Sequence, residues 1–255
     1  MRLFVALEIP EPVRREVRRR VAGLRERLPR ARWVDPDVLH LTLLFLGEVA
    51  PELVADLAGR LAQAFAAHPP LPLRLAGGGT FPAGRPARVA WIGVAGPPEL
   101  APLQAAVVRA ARAALEPPAS SEAPATARAA AVLREGGERP FQPHVTLARC
   151  PSPWPRGASE KFAAAFPAEI GPPFVADRGV LVESRLSPRG PRYRHLAELP
   201  LAAASGERAG IGDERGECGE RGEREEREEH GAAGEPESGT AGSAEEPGAA
   251  GERSA

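Results

Sequence analysis

The chain has 255 residues, 43% of them hydrophobic, with 33 basic against 34 acidic side chains and only two cysteines. That is enough apolar material for a real core, and too few cysteines for a disulfide framework or a cysteine-built metal site. No run is long enough to cross a bilayer, and the apolar start, Leu3 to Ile9, is too short for a signal peptide and runs into Pro10-Glu11-Pro12.

In chain order, Arg2 to Ile9 reads as a buried strand, and Pro12 suits the first turn of an amphipathic helix over Glu11 to Leu28. Arg32-Trp33-Val34 leads to a strand in which Leu39, Leu41, Leu43 and Phe45 alternate with His40, Thr42 and Leu44. The first set is expected to line a core while His40 and Thr42 share the other face. Pro51 opens a second helix to about Ala66, followed by strands at Leu71 to Ala76 and Arg88 to Val94 and a helix from Pro98 to Leu115. A second alternating strand follows Pro143, with Val145 and Leu147 set against His144, Thr146 and Ala148. Next come a short helix around Ala158 to Phe166 and strands near Phe174 to Asp177, Gly179 to Leu186 and Arg194 to Leu199. Strands and helices in both halves predict an α+β fold of two similar lobes facing each other.

Two stretches break the rhythm. Residues 116–138, with Pro117-Pro118, Ser120-Ser121, Pro124 and Gly136-Gly137, read as an inserted surface loop. Residues 202–255 contain Ile211 as their one large aliphatic side chain and are otherwise rich in Gly, Glu, Ala, Arg and Ser, so they are expected to be disordered. The folded domain is thus residues 1–201. This tail carries 15 acidic and 6 basic residues, which leaves 19 acidic and 27 basic in the domain. A nearly neutral chain is therefore a basic domain with an acidic tail, and a basic domain favours phosphate-rich partners. All the cations but Lys161 are arginine, which genome composition explains more readily than phosphate binding does.

The frame His-x-Thr-Leu occurs twice, at His40-Leu41-Thr42-Leu43 and His144-Val145-Thr146-Leu147, in a chain with five histidines and five threonines. Two His-x-Thr coincidences are expected by chance at roughly 0.004, before the shared leucine is counted. The repetition therefore marks a duplicated unit. In each strand the His and Thr are one pleat apart on one face, a spacing that suits a small anion. Two imidazoles can act as base and acid near neutral pH, and two hydroxyls can donate to phosphate oxygens. These are the parts needed to open a phosphodiester with water. Two histidines are too few ligands for a closed zinc site, His68, His195 and His230 have no matching context, and no serine sits in a nucleophile elbow, so neither metal nor cofactor is expected.

These frames and their flanks, from Met1-Arg-Leu-Phe-Val-Ala-Leu7 through Arg32-Trp-Val34, Leu39 to Gly47, Arg139 to Arg149, Ser184-Arg-Leu-Ser187 and Gly190-Pro-Arg-Tyr193, resemble the two-histidine (2H) phosphoesterases. Among these the match is to the LigT-like RNA 2',3'-cyclic phosphodiesterases, also known as 2'-5' RNA ligases. The resemblance implies a bilobed fold with two antiparallel sheets lining a central cleft. It also implies hydrolysis of RNA 2',3'-cyclic phosphate ends to 2'-phosphates. Carried onto this chain, it makes His40 the proton donor to the departing 3' oxygen and His144 the acceptor that activates water. Thr42, Thr146 and Arg149 then hold the phosphate. The two frames alone do not say which histidine does which. The implied partners are RNA ends, tRNA fragments among them, or small cyclic nucleotides, met by a cytoplasmic monomer. A non-catalytic module that binds RNA ends and a reversible 2'-5' ligase remain as alternatives. Phe45, Phe141 and Trp33 for base stacking, and Tyr193, Arg185, Arg192 and Arg194 for a basic surface, stay outside the assigned site, since packing and solvation explain them equally well.

Overall fold

The computed structural model describes residues 1–115, 140–166, 169–187 and 190–202; the expected loop at 116–138 and the expected tail beyond Ala202 lie outside the described residues. The strands are β1 (Arg2–Glu8), β2 (Arg32–Trp33), β3 (His40–Glu48), β4 (Leu71–Phe81), β5 (Ala87–Ala95), β6 (His144–Trp154), β7 (Ile170–Ala176), β8 (Arg178–Ser187) and β9 (Gly190–Pro200). They form one sheet in the order β7-β4-β5-β6-β3-β1-β8-β9, with β2 added beside β6, and every pairing is antiparallel. The two expected sheets are the two four-stranded wings of this path. They meet where β3 touches β6, among the described residues through the single pair Leu41 and Val145.

The helices α1 (Glu11–Arg25), α2 (Val54–Ala66), α3 (Leu100–Leu115) and α4 (Arg156–Ala164) cover one side of the sheet. Each turns an apolar stripe inward at the helical spacing: Val13, Val17 and Val21 in α1, and Leu57, Leu61 and Phe65 in α2. Pro51 forms a short 3₁₀ turn, Pro51–Leu53, that leads into α2 in place of opening it. α2 packs on β8 and β9, while α1, which follows the first strand of that wing, packs on β7 at the far end of the other. The main core lies between sheet and helices. A smaller cluster of Phe4, Ala6, Val180 and Val182, with Tyr193 against it, lies on the opposite face of the sheet.

The alternation expected through Phe45 does not hold. In β3 the partner of Ala6 is Thr42 but that of Val5 is Leu44, so Leu43 is an extra residue, a β-bulge, and Leu43 and Leu44 both face the core. Phe45 is consequently 40% exposed on the face of His40 and Thr42, with the Arg2 guanidinium 5.0 Å above its ring. The second frame repeats the device. Ala90 pairs with Ala148 and Trp91 with Thr146, so Leu147 is the extra residue, Leu147 and Ala148 are buried, and Arg149 is exposed on the face of His144. Duplication extends beyond the motif to the bulge that follows it.

Strand β4 runs past the expected end at Ala76 through Gly77-Gly78-Gly79-Thr80, a sequence with little strand propensity. Tertiary packing explains it: a Cβ on Gly79 would lie 2.3 Å from the Trp91 ring. Gly179 in β8 plays the same part for α2, because a Cβ there would lie 2.3 Å from the ring of the fully buried Phe65. We expect Gly179→Ala to cost about 1–3 kcal/mol by overpacking, read as a lowered urea midpoint with an unchanged slope.

Candidate active site

The Leu41 and Val145 pair turns both side chains into the core, fully buried. One residue to either side, the same antiparallel register sets His40 opposite Thr146 and Thr42 opposite His144 on the other face. The four residues singled out by the repeated frame are thereby gathered in one place, each His beside the Thr of the other frame. All four are half-buried, and neither threonine hydroxyl has a protein partner among the described residues.

Each imidazole is held in the same way. His40 Nδ1 lies 2.9 Å from the Val38 carbonyl and His144 Nδ1 lies 2.7 Å from the Gln142 carbonyl, two residues back in both cases. A carbonyl can only accept, so each Nδ1 carries a hydrogen and donates it, which leaves Nε2 as the working atom of both rings. Aromatic side chains fix the ring planes. His40 stacks on Phe4 (4.7 Å) and meets Tyr193 edge-on (5.5 Å); His144 meets Phe81 edge-on (5.1 Å) and lies against Trp91 (6.0 Å). These four aromatics were not assigned from sequence. Phe4 alone could have been found, by reading Phe4, Ala6 and Glu8 as the second face of β1.

The two histidines differ in surroundings. His40 borders a hollow of about 130 Å³ with Glu8, Tyr193 and His195 on its rim. Burial holds its pKa below the ordinary value; the Val38 carbonyl and Glu8 favour the charged ring, and Arg149 adds to the lowering. The Arg149 charge thus acts on His40 from the other frame. It also acts, with Arg2, on Tyr193, whose hydroxyl burial pushes above the usual range. His195, set aside on sequence grounds, pairs with Glu8 at 3.5 Å, so a third histidine stands at the rim of this hollow.

The secondary candidates separate clearly. Arg185 and Arg194 both pair with Glu183 at 3.0 Å and hold its carboxyl below the usual range, Arg185 foremost. Trp33 packs on the core beside Trp154 (6.2 Å), and Phe141 is packed there too, which leaves Phe45 as the exposed aromatic of the three. Among the described residues no group of three His, Cys, Asp or Glu side chains could hold a metal ion, and no helix is long and apolar enough to cross a membrane.

An antiparallel, two-winged sheet with paired His-x-Thr strands at its joint defines a phosphoesterase of the two-histidine class. Residues 10–185 match the family model described as the 2'-5' RNA ligase superfamily. The chain belongs to this family and is an enzyme, a phosphodiesterase. It is 35% identical over 218 residues to the RNA 2',3'-cyclic phosphodiesterase of Thermus thermophilus, covering 83% of this chain and 96% of that one. It is 30% identical over 198 residues to the protein of the same name from Archaeoglobus fulgidus, covering 77% and 98%. Among solved structures, TT0787 of Thermus thermophilus superposes with a TM-score of 0.63 at 29% identity over 80% of this chain and 100% of that one. E. coli LigT complexed with NADP+ gives 0.54 at 26% over 79% and 98%.

The geometry makes a direct prediction. In ¹⁵N-edited NMR spectra at alkaline pH, the His40 and His144 signals should show the Nδ1–H tautomer. Nε2–H signals would contradict the carbonyl anchoring.

Proposed function

We propose that this enzyme hydrolyses 2',3'-cyclic phosphate ends of RNA to 2'-phosphates without a metal ion, using His40 as proton donor and His144 as proton acceptor. The observation that carries the reading is the mirrored anchoring of the two rings on neighbouring strands, which leaves the Nε2 of each clear of the carbonyl that holds it. A cyclic phosphodiester needs both functions there. His144 Nε2 takes a proton from water as the water oxygen bonds to phosphorus; the bond from phosphorus to the 3' oxygen breaks, and that oxygen takes the proton from His40 Nε2. The Thr42 and Thr146 hydroxyls and the Arg149 guanidinium donate to the non-bridging oxygens as their charge grows. The names of the curated relatives support the substrate class. RNA ends, including tRNA fragments, and small cyclic nucleotides present the same reacting group. The chain works as a monomer in the cytoplasm, in keeping with its two cysteines and the lack of a disulfide framework.

The lowered pKa of His40 fits a donor that is charged by its substrate. Alone, the ring sheds its proton readily; beside a bound phosphate anion the charged form is favoured, and a strong conjugate acid gives its proton up as the 3' oxygen leaves. Because the free enzyme must carry a proton on His40, kcat/KM falls as pH rises through the free-enzyme value, which lies below the ordinary 6.5. Removing the cation with Arg149→Gln should move this limb to higher pH, and removing the anion with Glu8→Gln should move it lower. A limb that neither change moves would rule His40 out as the donor.

The reaction itself is tested by incubating the purified protein with a short RNA ending in 2',3'-cyclic phosphate in the presence of EDTA, and resolving the products. Conversion to the 2'-phosphate is expected. A 3'-phosphate product, or activity abolished by EDTA, would overturn the mechanism, and tight binding without conversion would favour the non-catalytic module.

A further inference from the structure

Strand β2 is two residues long, yet it places a charge directly opposite another. It pairs antiparallel with β6, setting Arg32 opposite Arg149 and Trp33 opposite Ala148, and the Val34 N–H extends the ladder to the Leu147 carbonyl at 2.8 Å. Directly opposed residues on antiparallel strands project to the same face. Trp33 turns into the core with the buried Ala148, so Arg32 shares the catalytic face with Arg149.

Two like charges opposed on neighbouring strands destabilise a sheet unless something lies between them. Many arginines of this fold meet carboxylates. Arg14, Arg15 and Arg18 meet Glu11, with Arg18 also on Asp37, and Arg19 and Arg20 meet Glu16. Arg74 meets Glu169, Arg156 meets Glu160, and Arg185 and Arg194 meet Glu183. Among the described residues, Arg32 and Arg149 have no carboxylate partner, and neither does the exposed Arg30 that precedes them on the same segment. Beyond Leu41 and Val145, β3 parts from β6 and β2 occupies the opening. Arg149, Arg32 and Arg30 therefore follow one another away from the two histidines along that fork.

We propose that Arg32 is the subsite for the next phosphodiester of the RNA strand, the one joining the terminal nucleotide to its upstream neighbour, with Arg30 continuing the path. The inference rests on the cyclic-phosphate reading above and goes beyond it. It makes the enzyme selective for a cyclic end carried on a strand over a free cyclic mononucleotide. Arg149 neutralises the phosphate that reacts and Arg32 the one that does not, and a bound strand relieves the repulsion between them.

The test compares kcat/KM for a nucleoside 2',3'-cyclic monophosphate with that for a tetranucleotide ending in 2',3'-cyclic phosphate, in wild type, Arg32→Gln and Arg32→Lys. Wild type should prefer the tetranucleotide by about tenfold or more. Arg32→Gln should lose that preference, keep its mononucleotide rate within about twofold, and flatten the salt dependence of the tetranucleotide reaction by about one phosphate's share; Arg32→Lys should recover part of the loss. Equal losses on both substrates would mean that Arg32 holds the reacting phosphate, and no loss on either would mean that it holds none. Binding supplies an arm independent of turnover: Arg32→Gln should weaken a dinucleotide bearing a 2'-phosphate but not a nucleoside 2'-phosphate. If wild type turns over neither cyclic substrate, the proposed reaction fails, while the binding comparison still decides the role of Arg32. Thermal melts of both variants exclude misfolding as the cause.

Discussion

The site depends on one backbone contact, the pairing of Leu41 with Val145. Among the described residues it is the single place where the two wings join edge to edge, and it lies in the middle of both His-x-Thr frames. Because both side chains are fully buried, the hydrophobic core fixes the register between the frames. A slip of one residue would send the two histidines to the core and two aliphatic side chains to the cleft. Burial of Leu41 and Val145 is thus the physical reason that His40, Thr42, His144 and Thr146 share one face.

What surrounds the joint is symmetric in backbone and asymmetric in environment. Both rings are pinned by a carbonyl two residues upstream, and both strands bulge three residues after the histidine. The bulge brings the fifth residue after each histidine back to the catalytic face. In one half that residue is Phe45, with Arg2 above its ring, and in the other it is Arg149. The two frames thus share a backbone and differ at this position, which carries a cation in one half and an aromatic surface in the other. Burial lowers the pKa of His40, which Phe4 and Tyr193 of its own wing flank, as Phe81 and Trp91 flank His144 in the other.

The sequence made the centre of the site legible and left its walls out of sight, for separate reasons. His40, Thr42, His144 and Thr146 could be read because a strand of period two puts residues i and i+2 on one face whatever the tertiary context. The same rule failed at Phe45, since a bulge is a change of register between two strands and leaves no mark in either strand alone. Arg149 was assigned by resemblance, and the bulge at Leu147 is the reason that it faces the cleft. The glycine run in β4 was invisible because the Trp91 ring, which requires a bare backbone at Gly79, comes from a different strand. The opposition of Arg32 to Arg149 joins residues 117 positions apart and follows only from the sheet topology. Helices α1 to α3 were anticipated within a few residues, because their apolar stripes are local signals, though α1 stops at Arg25, short of the expected Leu28.

If the joint makes the two histidines a single catalytic unit, their contributions cannot be independent. The most direct measurement is a double-mutant cycle on the cyclic-phosphate RNA with His40→Ala, His144→Ala and the double variant. Each single change should reduce turnover by about 10²–10⁴-fold, and the double variant should be little worse than the poorer single one, because neither proton transfer accomplishes the reaction alone. Losses that multiply in the double variant would show two histidines acting separately and would contradict the paired site.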